Sequence, residues 1–270
     1  MRRRPPILVP TLPGIPALVA AACVAGLVAA ASDARAQVNV EVLRKRIKAK
    51  GLSFVLEGTF DGHTGNTSGL TADGLIGGGF ASGRHLAFAF ASAEYSKLNG
   101  TLGVDKSFAH ARYDVEMVRW ASWEAFVQAQ SDYFQLLGIR NLFGTGPRFA
   151  LYEDKFTGIY AGLAYMLERD AYDLAVGSPL TRTPVYSRWS SYLTLHATLR
   201  DGIEVVTTTY VQPRVEDPGD VRVESESGFV FKVTKVFSTG ITLTAHYDSN
   251  PVPGVLRTDT EVKNVLMLAL

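Results

Sequence analysis

Cysteine is nearly absent from this sequence: its 270 residues include one, Cys23. Cys23 lies in an apolar N-terminal stretch that has the pattern of a removable signal, so we expect a mature chain that forms no internal disulfide. A lipoprotein would need acylation at Cys23, but the three alanines before it match an acylation site poorly and the apolar run continues past it. The mature protein must therefore be stabilised by other means.

The N-terminal stretch has the three parts of a secretory signal. An arginine triplet at residues 2–4 precedes an apolar run over 7–31, and Ala-Arg-Ala ending at Ala36 follows. A membrane anchor is the alternative, but three prolines interrupt the run and the small-residue cleavage site follows it. The sequence predicts a signal peptide over 1–36, cleaved after Ala36.

The remaining chain lacks both a strong charge and a long hydrophobic run. Removing residues 1–36, with four Arg and one Asp, leaves 23 basic and 25 acidic side chains, a net charge near −2. This balance gives no reason to expect nucleic acid as a partner. A short basic segment over 37–50 is predicted to stay in the periplasm, and no later apolar run approaches the roughly 20 residues of a spanning helix.

Alternation with a period of two dominates after residue 50. Leu52, Phe54 and Leu56 alternate with Ser53 and Glu57, the pattern of a strand with two different faces. About twelve such segments follow one another: 51–60, 67–80, 85–96, 106–117, 121–132, 138–151, 155–168, 187–199, 203–212, 221–237, 241–248 and 259–270. The predicted fold class is all-β, an antiparallel up-and-down transmembrane β-barrel of about 12 strands over 51–270.

The predicted connections alternate in length. Short turns are expected at 81–83, 118–120, 152–154, 200–202 and 238–240, three of them ending in Gly. Longer polar loops are expected at 61–66, 97–105, 133–137, 169–186, 213–220 and 249–258. Short periplasmic turns and longer outer loops are typical of outer-membrane barrels.

The two faces of the predicted strands differ in chemistry. Aromatic residues such as Phe80, Trp123 and Trp189 lie near strand ends, where membrane–water interfaces favour them. The other face carries many charges, which suits a wet lumen. A secreted soluble barrel or sandwich that acts as a binding protein is the alternative, because it shares the same alternation.

These segments resemble the family called domain of unknown function 481, described as putative salt-induced outer-membrane proteins. The resemblance covers most of 51–270 and depends on Gly65-Asn66-Thr67, on residues 123–130 (WEAFVQAQ), 144–149 (GTGPRF) and 163–168 (LAYMLE), and on Tyr210-Val211-Gln212-Pro213 followed by Asp220 and Arg222. It implies an outer-membrane barrel, a possible role in stress, and no known ligand or catalytic residue.

A barrel-borne lipid hydrolase is the alternative function that would require catalytic residues. A nucleophile and its base must lie within hydrogen-bonding reach. Ser191 and His196 point to opposite faces, and Thr194 lies about two strand steps from His196. His246 and Asp248 share a face but are more simply explained as polar lumen residues. We therefore predict no enzyme activity and no catalytic residue.

Metal and cofactor sites have equally little support. The five histidines are far apart and no two show a ligand spacing. Gly77, Gly78 and Gly79 lack the Lys and the helix of a phosphate loop, so tight strand packing explains them better. We predict no metal and no cofactor.

Two classes of function remain open for the predicted barrel. It is either a narrow diffusion channel for small ions or solutes, or a non-conducting barrel, structural or stress-related, whose charges pair and fill the lumen. The expected partners are outer-membrane lipid and, during insertion, the barrel assembly machinery. The expected location is the outer membrane of a Gram-negative bacterium.

One set of lumen residues can be predicted from register. A hairpin centred on Leu136 pairs residues whose numbers add to 272, which places Asp132 opposite Arg140 and Glu124 opposite Arg148. The alternative is that both arginines simply face water. The sequence thus predicts a charge ladder of Glu124, Asp132, Arg140 and Arg148.

Overall fold

Strands occupy almost all of the chain that the computed structural model describes, namely residues 44, 47, 51–65, 68–175, 178 and 180–269. The predicted signal peptide over 1–36 lies outside these residues, as does the rest of the basic segment over 37–50. Within the described part of the chain, no helix has the length and apolar character that a membrane crossing requires.

Twelve antiparallel strands form one closed barrel in which each strand pairs with its neighbours in sequence and β1 pairs with β12. The strands are β1 (Leu52–His63), β2 (Gly69–Ser82), β3 (His85–Leu98), β4 (Thr101–Val118), β5 (Ala121–Asp132), β6 (Leu137–Glu153), β7 (Thr157–Tyr172), β8 (Val185–Arg200), β9 (Ile203–Pro213), β10 (Val221–Lys232), β11 (Phe237–Asp248) and β12 (Thr258–Ala269). The predicted fold class and strand number are confirmed.

The two ends of the barrel differ in their connections. At one end, which we call the short-turn end, turns of two to four residues connect β2 to β3, β4 to β5, β6 to β7, β8 to β9 and β10 to β11. The other, the long-loop end, carries the connections 173–184, 214–220 and 249–257. The start of β1 and the end of β12 both lie at the short-turn end.

The predicted loop over 97–105 is wrong, because β3 and β4 form a long hairpin there. Leu98 pairs with Thr101, and the turn between them is Asn99-Gly100 with φ angles of 48° and 84°. Positive φ at both positions is the geometry of a two-residue hairpin turn, for which Asn-Gly is the preferred sequence.

The predicted three-residue turns are also misplaced. Ser82 pairs with His85, so the first turn consists of Gly83 and Arg84. Gly240 lies inside β11 opposite Val230, and the turn that precedes β11 is 233–236. Gly240 is a strand glycine packed against the neighbouring backbone and not a turn glycine. A Cβ at this position would lie 2.6 Å from the carbonyl oxygen of Phe229.

The outer surface of the barrel is apolar and its interior is charged. Large apolar side chains are exposed on the outside along the strands, for example Leu52, Phe54, Ile76, Trp123, Val127, Phe143, Leu163, Leu193, Ile241 and Val262. Charged side chains are buried on the inside, among them Arg112, Glu124, Arg140, Glu168, Asp170, Arg188 and Arg222. This is the reverse of a soluble barrel, so the chain is a membrane β-barrel and the soluble alternative does not fit.

The closure between β1 and β12 is short. Among the described residues, three pairs join them, from Val55 opposite Ala269 to Glu57 opposite Met267, all in the half nearer the short-turn end. Over residues 58–63 and 258–266, each strand pairs only with its other neighbour among the described residues. We call this unpaired stretch the seam.

Two of the described residues before β1 lie inside the barrel. Arg44 and Ile47 are helical and buried, and the backbone nitrogen of Gly51 donates to the carbonyl oxygen of Ile47 at 2.8 Å. Ile47 belongs to an apolar cluster on the inner wall of β1–β3 and β12. Gly79 makes room for it, because a Cβ there would lie 2.6 Å from Cδ1 of Ile47, and the glycine run is thus explained by tight packing.

Candidate functional site: the charge networks inside the barrel

All four residues of the predicted ladder lie on the inner face of β5 and β6 and are buried, but the predicted register is wrong. Residues on this hairpin pair with numbers that add to 270, so Glu124 lies opposite Gly146 and Arg148 opposite Ser122. The cause is the tight turn at Tyr133–Gln135 and a bulge between Gln130 and Asp132.

In the observed register Asp132 and Arg140 no longer form a pair, whereas Glu124 and Arg148 stay close to each other. Asp132 caps the turn, where its carboxylate accepts a hydrogen bond from the backbone nitrogen of Gln135 at 3.0 Å. Arg140 binds Asp170 instead. Glu124 and Arg148 are diagonal neighbours whose charged groups remain 3.9 Å apart. A ladder in which these four residues act together stays a prediction.

Glu124 is the centre of a group that we call the central network, made of Arg44, Arg112, Asp114, Glu124, Arg148 and Tyr192. Nη1 of Arg44 donates to Oε1 of Glu124 at 2.7 Å, and the Tyr192 hydroxyl donates to Oε2 at 2.6 Å. Arg112 approaches the same carboxylate at 3.5 Å, and Nη2 of Arg44 also lies 2.9 Å from Asp114. One buried carboxylate thus faces three buried arginines, and Coulomb attraction between buried charges is weakly screened.

Aromatic rings hold the central network in place. The guanidinium of Arg148 lies 4.2 Å from the ring centre of Tyr160, and that of Arg112 lies 5.3 Å from the ring centre of Phe126. Such cation–π contacts favour the charged arginine in a desolvated setting. Gly162 lies against the ring of Tyr192, so a side chain at this position would displace it.

A second group, which we call the outer network, lies nearer the long-loop end. It consists of Arg140, Glu168, Asp170, Arg188, Asp220, Arg222 and Asp248. Arg140 donates through Nε and Nη2 to both oxygens of Asp170, at 2.7 and 2.8 Å. Arg222 donates to Glu168 at 2.6 Å and to Asp248 at 2.9 Å. Strands β6–β8 are thereby tied to β10 and β11 across the lumen.

The cavities beside the two networks differ greatly in volume. Between them lies a cavity of about 20 Å³, lined by residues of both, which is room for about one water molecule. On the short-turn side of the central network a vestibule of about 560 Å³ opens, with Arg44, Asp114 and Arg148 in its lining. In the turn beside this vestibule, hydrogen bonds from the Tyr152 hydroxyl and from two backbone N–H groups lower the pKa of Asp154.

A third group lies beside the seam, and we call it the seam cluster: Asp73, Glu94, Lys106, Glu261 and Lys263. Lys263 of β12 contacts Glu94 and lies 3.1 Å from Asp73, while Lys106 of β4 lies 3.4 Å from Glu261. These contacts join β12 to β2, β3 and β4 on the inside, past the unpaired part of β1. Residue spacing along the chain does not predict these contacts, because the partners lie on strands that are not neighbours.

The residues considered for catalysis are engaged elsewhere. The Thr194 hydroxyl shares a hydrogen bond with Thr208 at 3.0 Å. Nδ1 of His246 lies 3.6 Å from Glu224, and Asp248 accepts from Arg222. Among the described residues, no three His, Cys, Asp or Glu side chains are grouped to hold a metal ion.

Comparison with known proteins gives a family match and several distant structural likenesses. The family described as "Protein of unknown function, DUF481" matches residues 59–268, more than half of the chain. No curated protein matches.

Two of the similar solved structures are a NanC porin and the translocator domain of the autotransporter NalP from Neisseria meningitidis. The porin is 12% identical with a TM-score of 0.45, covering 80% of this chain and 97% of its own. The translocator domain is also 12% identical, with a TM-score of 0.46 and coverage of 85% and 94%. Likeness at this level says nothing about what the present barrel does.

Proposed function

We propose a role from the geometry of the barrel itself, since the chain belongs to the DUF481 family, whose function is unknown. The protein is an outer-membrane channel for small ions or solutes that is closed at rest by Arg44. The observation that carries this proposal is the position of Arg44, whose guanidinium lies in the lumen between Glu124 and Asp114.

Arg44 differs from every other member of the central network because it precedes β1 and is not part of the barrel wall. Withdrawing it would leave Glu124 with Arg112 and Arg148, but would take from Asp114 the arginine that lies 2.9 Å away. It would also join the vestibule to the interior beyond Glu124. A closure of this kind can be reversed without breaking any strand pair.

A permanently filled, non-conducting barrel is the second candidate, and the outer network favours it. Apart from Asp220 in the loop before β10, its members are on strands, and all are buried or nearly so. Fully paired wall charges can stabilise a barrel without any transport. A role in stress, as the family resemblance implies, is compatible with either candidate.

The proposal places the mature chain in the outer membrane of a Gram-negative bacterium, with outer-membrane lipid and the barrel assembly machinery as partners. Cleavage after Ala36 would leave Gln37 as the first residue, seven residues before Arg44 enters the lumen. The intact mass of the protein from the outer-membrane fraction checks this processing.

Single-channel recording in a planar bilayer tests the closure. Mature protein, residues 37–270, is compared with the Arg44→Ala variant and with Arg257→Ala as the control, so that each variant loses one arginine. Arg257 lies in an exposed loop, where its backbone oxygen accepts a hydrogen bond from the backbone nitrogen of Asp248. We expect rare openings for the unmodified protein and for Arg257→Ala, and frequent or larger openings for Arg44→Ala.

The two candidates give different recordings. Silence in all three proteins, with correct refolding verified by heat-dependent gel mobility, would support the filled barrel. Equal conductance in all three would mean that the lumen is open but that Arg44 does not close it.

A further inference from the structure

A line of oxygen-bearing side chains crosses five strands on the inner wall. Residue pairing connects Thr194 of β8 to Thr208 of β9, Glu226 of β10, Thr244 of β11 and Glu261 of β12. The first four are buried, and Glu261 is only 11% exposed at its side chain. We call these five residues the oxygen row, and it ends at the strand that borders the seam.

Glu226 is the member of the row whose position is hardest to explain structurally. The residue is 7% exposed, and its Oε1 has no hydrogen-bond partner among the described residues. A buried carboxylate without compensation costs several kcal/mol, whereas the buried acids Glu124, Glu168 and Asp170 of this lumen have arginine partners. The carboxyl group of Glu226 is therefore either protonated or neutralised by a cation from outside the described residues.

The charges that surround Glu226 are acidic. Glu57 and Glu224 are the charged groups that act on it, and both disfavour a further negative charge. In the next part of this wall, the seam cluster has three carboxylates and two lysines. A cavity of about 70 Å³ that Glu94, Lys106 and Glu224 help to line lies in the same region, with room for about two water molecules.

We propose that Glu226 and its threonine neighbours in the oxygen row bind a partly hydrated monovalent metal cation, of the K⁺ or Na⁺ type, and that this site gives the lumen a preference for cations. Carboxylate and hydroxyl oxygens are the ligands that hard cations take. A monovalent ion fits better than a chelated divalent metal, because among the described residues no three His, Cys, Asp or Glu side chains are placed to hold a metal ion.

The cation preference rests on the proposed channel function, but the binding site does not. One unit charge about 4 Å from an ion in water-like surroundings changes the occupancy of that ion about fivefold. Acidic rings act in this way in cation channels. A proton on Glu226 is the competing explanation, and it would give neither K⁺ dependence nor ion selectivity.

The binding site is tested by urea unfolding of the refolded mature protein in KCl and in N-methyl-D-glucamine chloride at equal ionic strength. A ligand that binds only the native state raises the unfolding midpoint. We expect a higher midpoint in KCl for the unmodified protein and no difference between the salts for Glu226→Gln. Glu216→Gln, which neutralises an exposed loop carboxylate, should keep the difference. Equal midpoints in both salts for the unmodified protein would overturn the site.

The ion preference is tested by reversal potentials under a KCl gradient, in the Arg44→Ala background where the lumen is expected to open. K⁺ should pass about fivefold more easily than Cl⁻, and the ratio should fall toward one with Glu226→Gln added. Silent bilayers together with K⁺-dependent stability would contradict the channel and leave the site in place. Conduction without preference, together with equal midpoints, would contradict the site and leave the channel in place.

Discussion

Glu124 is a single buried carboxylate around which several cationic side chains of the lumen gather. Its carboxylate accepts hydrogen bonds from Arg44 and Tyr192 and lies near two more arginines. All three arginines are buried, and Arg44 also contacts Asp114. The cost of changing such a residue lies mainly in the charges that it leaves unpaired.

We therefore expect Glu124→Gln to lower the free energy of unfolding by about 3–5 kcal/mol, the usual loss when one partner of a buried ion pair is removed. Urea unfolding of the refolded protein measures the change. Glu216→Gln should stay within about 0.5 kcal/mol, as exposed substitutions do. If Glu124→Gln lowered the free energy of unfolding no more than Glu216→Gln does, water would have to screen the charges around Glu124.

The observed register of the β5–β6 hairpin leads to a second prediction about individual residues. Arg140 should couple to Asp170, with which it forms two short buried hydrogen bonds, and not to Asp132. Double-mutant cycles with Arg140→Gln and either Asp170→Asn or Asp132→Asn measure both couplings. We expect roughly 0.5–3 kcal/mol for the first and about zero for the second. Strong coupling to Asp132 would restore the register first predicted from the sequence.

At the scale of strands and turns, alternation alone located most elements. Strand β5 begins and ends where the sequence predicted, because Trp123, Val127 and their apolar neighbours alternate with polar residues up to the cap at Asp132. The β3–β4 hairpin was missed because its polar tip resembles a loop, although Asn99-Gly100 was a usable signal. The bulge that shifts the β5–β6 register leaves no mark in the period-two pattern.

The seam makes β1 and β12 the weakest elements of the sheet. Backbone groups at 58–63 and 258–266 that point across the seam have no strand partner among the described residues. Hydrogen exchange in detergent, followed by mass spectrometry, should therefore be fastest in peptides from these two ranges and slowest in β6 and β7. Equal protection from exchange in all twelve strands would mean that β1 and β12 are hydrogen-bonded along the seam in solution.

At the scale of the whole molecule, the sequence predicted which face is charged but not which charges meet. The networks join β4 to β12, β7 to both β6 and β10, and Arg44 to β4 and β5. Such partners depend on barrel closure and tilt, which residue spacing along one strand does not contain. Arg44 could not have been placed, since a short basic segment has no period that fixes its position.

The orientation of the molecule follows from its unequal ends. Long loops face the outside of the cell in outer-membrane barrels, so an epitope inserted beside Leu180 should bind antibody on intact cells. An epitope beside Lys235, in the turn 233–236, should bind only after permeabilisation. Binding in the reverse pattern would contradict the orientation and would place Arg44 at the outer mouth.

The central claim is that a positive charge at position 44 closes the lumen, and chemical restoration of that charge tests it most directly. Mature protein, residues 37–270, has no cysteine, so Arg44→Cys introduces a unique thiol. Single-channel currents are recorded before and after a methanethiosulfonate that adds an ethylammonium group, with the neutral methyl reagent as control. We expect raised conductance with Arg44→Cys, a return to rare openings after the cationic reagent, and no return after the neutral one. Conductance that stays the same through all three states would contradict closure by Arg44.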